Sequence, residues 1–439
     1  MLSFVVLLSQ WTVMPVAWDT AGDIGGYPSL DVTLGGDTIF FSYVGWDPVY
    51  SIWRLRLAVW LKPVDWMFVT KQDTILEGHT SVSYTRIGDT IVIGQSYQCK
   101  DSALPTTMLK YAQLALDGGA GIGESIVDTA GSTTGYYSSI AWDSQAKAHI
   151  SYYSEADGDG ELRYARWDGS SWQVEEIDTV GSVGYYTSLV LDALGRPHIS
   201  CVFSGAYTAI KHAWWNGSAW QIERVDSGRF GMTSAGLDAT GNPVIAYAHP
   251  AYGLWTAWWN GATWQKTLVD PSPCMDATLA MDTLGLPHIA YYDTLSGGNL
   301  KHAWYDGSWH TEVIVSGVGV WTTNPCGVMT NRAIRIDTLN CIHIVFYRRA
   351  SLDPYYATTC WESLEAGKES PLSDEKVIAV GLSGVALFLA ELETPLSIYR
   401  PDGRLAFSGF LKEGKNRIPL ETGVYLWQAR IYKGKVVVK

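Results

Sequence analysis

The sequence predicts an all-β protein: a seven-bladed β-propeller closed by an N-terminal strand, plus a small C-terminal β-sandwich domain. Three observations predict it. A unit recurs whose first strand ends at Asp143, Asp192, Asp238, Asp282 and Asp337, with gaps of 49, 46, 44 and 55 residues, close to one four-stranded blade each. The composition, 13% aromatic and 17% charged with 44 glycines among 439 residues, suits many short strands and tight turns rather than helices. The last copy stops short of its fourth strand, and a matching piece stands at the other end of the chain.

Met1 to Gln10 contains an apolar run, Leu2 to Leu8 interrupted only by Ser3, without a basic start or a clean cleavage site. It is a candidate signal-peptide remnant. Residues 11–361 form the propeller. Trp11-Thr-Val-Met-Pro-Val-Ala-Trp-Asp19-Thr-Ala-Gly22 resembles Trp172-Gln-Val-Glu-Glu-Ile-Asp178-Thr-Val-Gly181, a fourth strand and its exit loop, so it is expected to complete the blade left open at Trp361. Such closure removes two exposed sheet edges. Two weaker copies follow, around Ser29-Leu-Asp-Val32 and Val82-Ser-Tyr-Thr85, and then the five clear ones.

The copy at Tyr186–Asp226 shows each element. Ser188 to Asp192 alternates, His198 to Phe203 is β-rich, Ile210 to Trp215 is aromatic, and Trp220 to Val225 alternates again. Asp-x-x-Gly joins the first two strands, because Asp caps turn N–H groups and Gly accepts a positive φ; Asn340 replaces the glycine in the last copy. Asp168-Gly, Asn216-Gly, Asn260-Gly and Asp306-Gly are hairpin signals between the third and fourth strands.

Residues 11–361 resemble bacterial extracellular propeller repeats of the form Ser-Leu-x-Leu-Asp-x-x-Gly-x-Pro-His-Ile with Trp-Asp-Gly-x-x-Trp, near sialidase-like and fucose-lectin-like propellers in build. The pattern specifies fold far more than activity. Residues 362–375 are a polar linker. Residues 376–439 carry a charge of +5 against −18 on the rest of the chain, and one Trp of 21, which marks a domain of different origin. With Ile398-Tyr399…Asp402-Gly-Arg404, Gly423-Val-Tyr-Leu426 and Lys435-Val-Val-Val-Lys439, this tail resembles the type A C-terminal sorting domain of the type IX secretion system, although the usual Asn-Pro anchor is missing. The resemblance implies engagement of the secretion machinery by residues 376–439 and an extracellular or outer-membrane-surface location in a Gram-negative bacterium.

The net charge of −13 leaves nucleic-acid binding without electrostatic support. No run approaches the roughly 18 apolar residues of a membrane span. The six cysteines contain no Cys-x-x-Cys pair; their even number permits disulfides that so large a core does not require.

Function is expected on the face opposite the tight turns, where the copies disagree. Tyr27, Tyr137 and Tyr186 hold equivalent places there, and Tyr153, Tyr207, Arg229, His249, Asp293 and Trp321 are further candidates. Aromatic rings cover the C–H face of a sugar while polar neighbours take its hydroxyls, so glycan or a surface protein is the expected partner of a monomeric binding or adhesion propeller. A structural assembly module and a carbohydrate-active enzyme are the alternatives. No catalytic motif is present, and no acid pair for glycoside hydrolysis stands out from the repeated turn aspartates, so an enzyme is not expected. His149, His198, His288 and His343 share one repeat position in four blades, a spacing that predicts repeated structural hydrogen bonds rather than a metal site. No cofactor is expected. Asp157, Asp159 and Glu161 have carboxylate spacing that could hold calcium but lack the other ligands of a full loop motif, and a solvated turn is the favoured reading.

Overall fold

Antiparallel pairing assigns the strands to nine sheets. The structure, a computed structural model, describes residues 11–16, 24–36, 38–47, 52–61, 66–70, 80–100, 106–116, 123–155, 158–205, 207–228, 231–295, 298–318, 332–348, 353–360, 377–382, 385–390, 394–399, 405–412, 414–419, 423–429 and 432–438. Every regular element among them is a strand, and no helix is long and apolar enough to cross a membrane. The chain divides into two compact units, one of residues 1–114 and 121–361, the other of residues 115–120 and 362–439.

The first unit holds seven four-stranded sheets. Blades 1 to 6 open with the strands Ile24–Val32, Thr80–Ile87, Thr133–Trp142, Ser182–Leu191, Thr233–Leu237 and Cys274–Met281. Blade 7 opens with Ile334–Ile336 and continues through Ile342–Arg348 and Asp353–Thr358. Its fourth strand is Thr12–Pro15, paired in the register Thr12 with Thr358 and Pro15 with Tyr355. The N-terminal segment thus finishes the last blade. Trp11 behaves as a fourth-strand tryptophan should: its Nε1 donates to Glu312 Oε1 of blade 6 at 2.9 Å, as Trp220 does to Glu175 and Trp264 to Glu223 one blade back.

The first strands touch one another in sequence around the ring and close on blade 1, so they line the central channel. One hydroxyl from each of blades 1 to 6 ties them together. Ser29, Ser81, Ser139, Ser188, Ser234 and Thr278 each accept the N–H of Val82, Ile140, Leu189, Ala235, Leu279 and Ala333 in the next blade, at 3.0–3.1 Å. In blade 7 this place belongs to Ala333, which has no hydroxyl, and the backbone carbonyl of Arg332 beside it takes the N–H of Leu30 instead. Satisfying these inner amides matters because an unpaired buried N–H costs on the order of 1–3 kcal/mol. Between blades lie apolar layers such as Leu162, Tyr164, Val183, Leu189 and Ile199, so each sheet buries its faces on its neighbours.

The Asp turns cap as the sequence predicts. Asp192 Oδ1 accepts the N–H of Leu194 and Arg196, and Asp337 Oδ1 those of Leu339 and Cys341. Gly195 and Asn340 take φ of 75° and 59°, and Ala146 takes 57° where its copy has no glycine. The repeat histidines bond inside their blades: His198 Nδ1 to His212 Nε2 at 3.1 Å, His288 Nδ1 to His302 Nε2 at 3.0 Å, and His343 Nε2 to Asp337 Oδ2 at 3.2 Å. Cys341 and Cys360 form a disulfide across blade 7.

The second unit contains a three-stranded sheet (Val377–Leu382, Val385–Ala390, Gly414–Pro419) and a four-stranded sheet ordered Leu405–Leu411, Thr394–Tyr399, Gly423–Ala429, Tyr432–Val438. The sheets contact one another through Val377–Leu382 and Tyr432–Val438.

Candidate functional site

On the face opposite the Asp turns, two copies carry Gly-Tyr-Tyr: Gly135-Tyr136-Tyr137 in blade 3 and Gly184-Tyr185-Tyr186 in blade 4. The sequence reading treats residues 179–187 as an exit loop. In the structure most of that stretch is the bulged beginning of the first strand, with register shifts at Val183/Tyr185 and Tyr185/Ser188 and equivalent ones in blade 3. The glycines are required. Gly135 has φ of 97° and a Cβ there would sit 2.9 Å from Leu109 Cα; Gly184 has φ of 99° and its Cβ would sit 2.9 Å from the Glu161 carbonyl oxygen. Each bulge therefore lies directly against the third strand of the preceding blade.

The bulges bring five tyrosines to one blade junction. Tyr137 and Tyr186 have φ of 53°, a left-handed conformation rare for a bulky side chain. Their rings lie 4.5 Å apart, Tyr153 and Tyr185 lie 4.6 Å apart, and Tyr136 and Tyr185 each approach Tyr137 at 5.8 Å. Thr187 Oγ1 donates to the Tyr137 carbonyl at 2.8 Å and fixes the strained turn. Tyr153 is buried and the other four are half-buried. The hydroxyls of Tyr153 and Tyr185 are 3.3 Å apart, and that of Tyr185 is 3.0 Å from Ser182 Oγ. Burial, then the Tyr185 contact, pushes the Tyr153 phenol above its ordinary range, so it stays protonated at neutral pH. The cluster offers ring faces and neutral hydroxyls, which suits binding more than proton transfer.

Three of the candidates read from the sequence, Tyr137, Tyr153 and Tyr186, thus meet. Tyr136 and Tyr185 were missed, although the doubled Tyr after Gly in two copies is a signal for them. Tyr207 stands apart at the tip of a blade 4 hairpin, half exposed, 5.2 Å from the Phe203 ring and with the Arg224 guanidinium 5.8 Å from its own ring. His249 and Asp293 are buried and brace their own loops in blades 5 and 6. His249 Nδ1 accepts the N–H of Ala251 and Tyr252 at 3.1 Å, and Asp293 accepts from Leu295 N at 2.9 Å and Asn299 Nδ2 at 3.2 Å. Tyr27 lies in the first strand of blade 1, and its side chain falls outside the described residues, as do Arg229, Trp321 and Asp157. Asp159 is exposed, and Glu161 binds Arg163 Nε at 2.8 Å. Among the described residues, no group of three or more His, Cys, Asp or Glu is arranged to hold a metal.

The same face carries a repeated buried joint that the sequence reading did not find. The aspartates at the ends of the fourth strands of blades 2, 3 and 5 each take a cation from the next blade, and those of blades 2 and 5 take a phenol as well. Tyr152 and Arg163 meet Asp128 at 2.6 and 3.2 Å, and Tyr291 and Lys301 meet Asp270. Lys211 bonds Asp178 at 2.6 Å. Burial would raise the Asp270 carboxyl, but the bonds from Lys301 and Tyr291 win and hold it down to about 2. These charges are paired and serve the scaffold.

A second concavity occupies the central channel. It measures about 290 Å³ and reaches from Ser188 to Leu191, Leu237, Met281 and Ile336, the residues just ahead of the Asp turns. Arg332 and Arg335 of blade 7 stand in its wall. Asp31 lies between them, with Arg335 Nε 3.1 Å from Oδ1 and Arg332 Nη2 3.9 Å from Oδ2. Burial and the neighbouring Arg335 bring the Arg332 guanidinium down to about 9, where it is still charged at neutral pH.

No protein-family model matches the chain, and no curated protein matches it in sequence. Solved structures do resemble it. The lectin BP39L from Burkholderia pseudomallei is 13% identical over 74% of this chain and 96% of its own, with a TM-score of 0.49. The β-propeller domain of the Trilobed protease from Pyrococcus furiosus is 10% identical over 80% of this chain and 97% of its own, with a TM-score of 0.46. An intramolecular trans-sialidase from leech is 12% identical over 67% of this chain and 68% of its own, with a TM-score of 0.41.

Proposed function

We propose that the protein is a binding propeller that recognises glycan at the blade 3–blade 4 junction, on the face opposite the Asp turns. The tyrosine cluster carries this reading. Two of its members sit in a left-handed backbone that costs on the order of 1–3 kcal/mol each. Packing alone would be served as well by an unstrained strand, so the strain is the mark of a surface shaped for contact. Ring faces backed by neutral hydroxyls match the alternating C–H and O–H faces of a pyranose.

A glycan array probed with the full chain tests the reading. Binding to a defined glycan is expected, with at least a tenfold loss in affinity for Tyr137→Ala and for Tyr186→Ala. An array without a ligand, or binding indifferent to both changes, rejects it.

Export through residues 376–439 to the outside of the cell belongs to the same proposal. A disulfide between Cys341 and Cys360 fits an oxidising compartment. Deleting residues 376–439 should leave the protein inside the cell; undiminished secretion would count against this part.

A further inference from the structure

The central channel differs in chemistry from the tyrosine cluster, with two arginines beside an apolar wall. Each of blades 1 to 6 places Ser or Thr at the inner position that ties one blade to the next, and blade 7 has Ala333 there, directly after Arg332. The Arg332 backbone carbonyl, rather than a side-chain hydroxyl, accepts the inter-blade N–H there. The guanidinium instead reaches across blade 1, with Nη2 3.3 Å from Ser83 Oγ of blade 2.

Arg335 joins it, donating from Nε to Asp31 and from Nη1 to the Ile334 carbonyl at 2.7 Å. Both cations share Asp31, whose oxygens also accept the N–H of Val32 and Tyr84 and the hydroxyl of Ser83. The side chains of Arg332 and Arg335 are only 12% and 17% exposed. Among the described residues, these two little-hydrated cations thus share the carboxylate of Asp31, which is already engaged by three further donors. Guanidinium groups in such surroundings favour an oxyanion, because planar N–H donors meet it without first shedding much water.

Apart from Ser188, the rest of the wall is apolar, with Leu191, Leu237 and Met281 on the same cavity. The approach from the turn side is apolar too. Leu34, Leu194, Leu284 and Leu339, each at the tip of an Asp-type turn, are 68–76% exposed. The tips of blades 6, 7 and 1 are hydrogen-bonded edge to edge, Thr283 to Asn340 Oδ1 and Thr338 N to the Leu34 carbonyl, which fixes Leu284, Leu339 and Leu34 along one rim.

We propose that the channel binds a small organic carboxylate, its charged end on Arg332 and Arg335 and its apolar body against the leucines and Met281. An apolar wall disfavours a fully hydrated inorganic ion, and two cations that already share Asp31 suit a monoanion better than a dianion. About 290 Å³ admits a ligand of benzoate size.

Calorimetric titration of the full chain with benzoate, and with benzyl alcohol as its uncharged counterpart, tests the assignment. Saturable one-to-one binding of benzoate is expected, with the alcohol at least tenfold weaker. Arg332→Gln and Arg335→Gln should each weaken benzoate at least tenfold. Ala280→Phe fills the cavity without touching a charge and should abolish binding, which keeps the test decisive if an arginine variant does not fold. Tyr137→Ala should leave benzoate affinity unchanged, so failure here and failure of the glycan site are told apart. No saturable binding, equal affinity for the alcohol, competition by chloride at equal concentration, or unaltered binding by Ala280→Phe would each overturn the proposal.

Discussion

His198 and His288 show what burial does to a single repeated residue. Burial, then the facing His212 or His302, pushes each down to about 4. The unfolded chain takes up these protons near pH 6.5, whereas the folded chain resists until about pH 4. Stability is therefore full above pH 6.5 and falls as the pH drops towards 4, by at least roughly 2 kcal/mol for the two together. His149, His212 and His302 are lowered as well and add in the same direction. The inter-blade carboxylate Asp270, held at about 2, loses its contribution only below pH 4, so the two windows separate. Thermal melts between pH 4 and 7 check this. Blade 5 carries Val244 at the histidine position, so His288→Val is a tolerable probe and should flatten the curve; a curve of unchanged steepness would refute the assignment.

At the scale of the element, the bulged first strands decide where the tyrosines go. A regular strand would alternate Tyr185 and Tyr186 to opposite faces. The bulge, with Gly184 at φ of 99°, brings Tyr185 against Tyr153 and Tyr186 against Tyr137 instead. Gly184→Ala should cost more than about 1 kcal/mol, since an alanine resists this φ and its Cβ would strike the Glu161 carbonyl. It should also weaken binding at the proposed glycan site. Chemical denaturation measures the first effect, and a variant as stable as the parent would show the bulge to be unstrained. The element was only half legible. Alternation made residues 188–192 a strand, but bulges obey no fixed spacing, so residues 182–187 read as a loop. The Asp turns were legible because their hydrogen bonds are local: Asp192 caps residues two and four ahead.

For the whole molecule, ring closure is the governing fact. Thr12–Pro15 covers the third strand of blade 7, while the Cys341–Cys360 disulfide ties two other parts of that blade together. Removing residues 11–16 would bare the edge of Asp353–Thr358, an invitation to pair with another chain. The shortened protein should melt at least about 5 °C lower and self-associate. Calorimetry and size-exclusion chromatography read both; a monomer of unchanged Tm would show that the other three strands of blade 7 suffice.

What the sequence by itself determined is the periodic part. Blade count, turn chemistry and the pairing of the two ends follow from short-range patterns, because each blade is one local antiparallel sheet and Trp11-Thr-Val carries the mark of a fourth strand wherever it stands. Only the tertiary structure decided what the inner strands enclose. Asp31 lies some 300 positions from Arg332 and Arg335 in the chain and meets them because the seventh blade closes on the first. The channel that runs to the turn face exists only once seven separate strands stand side by side.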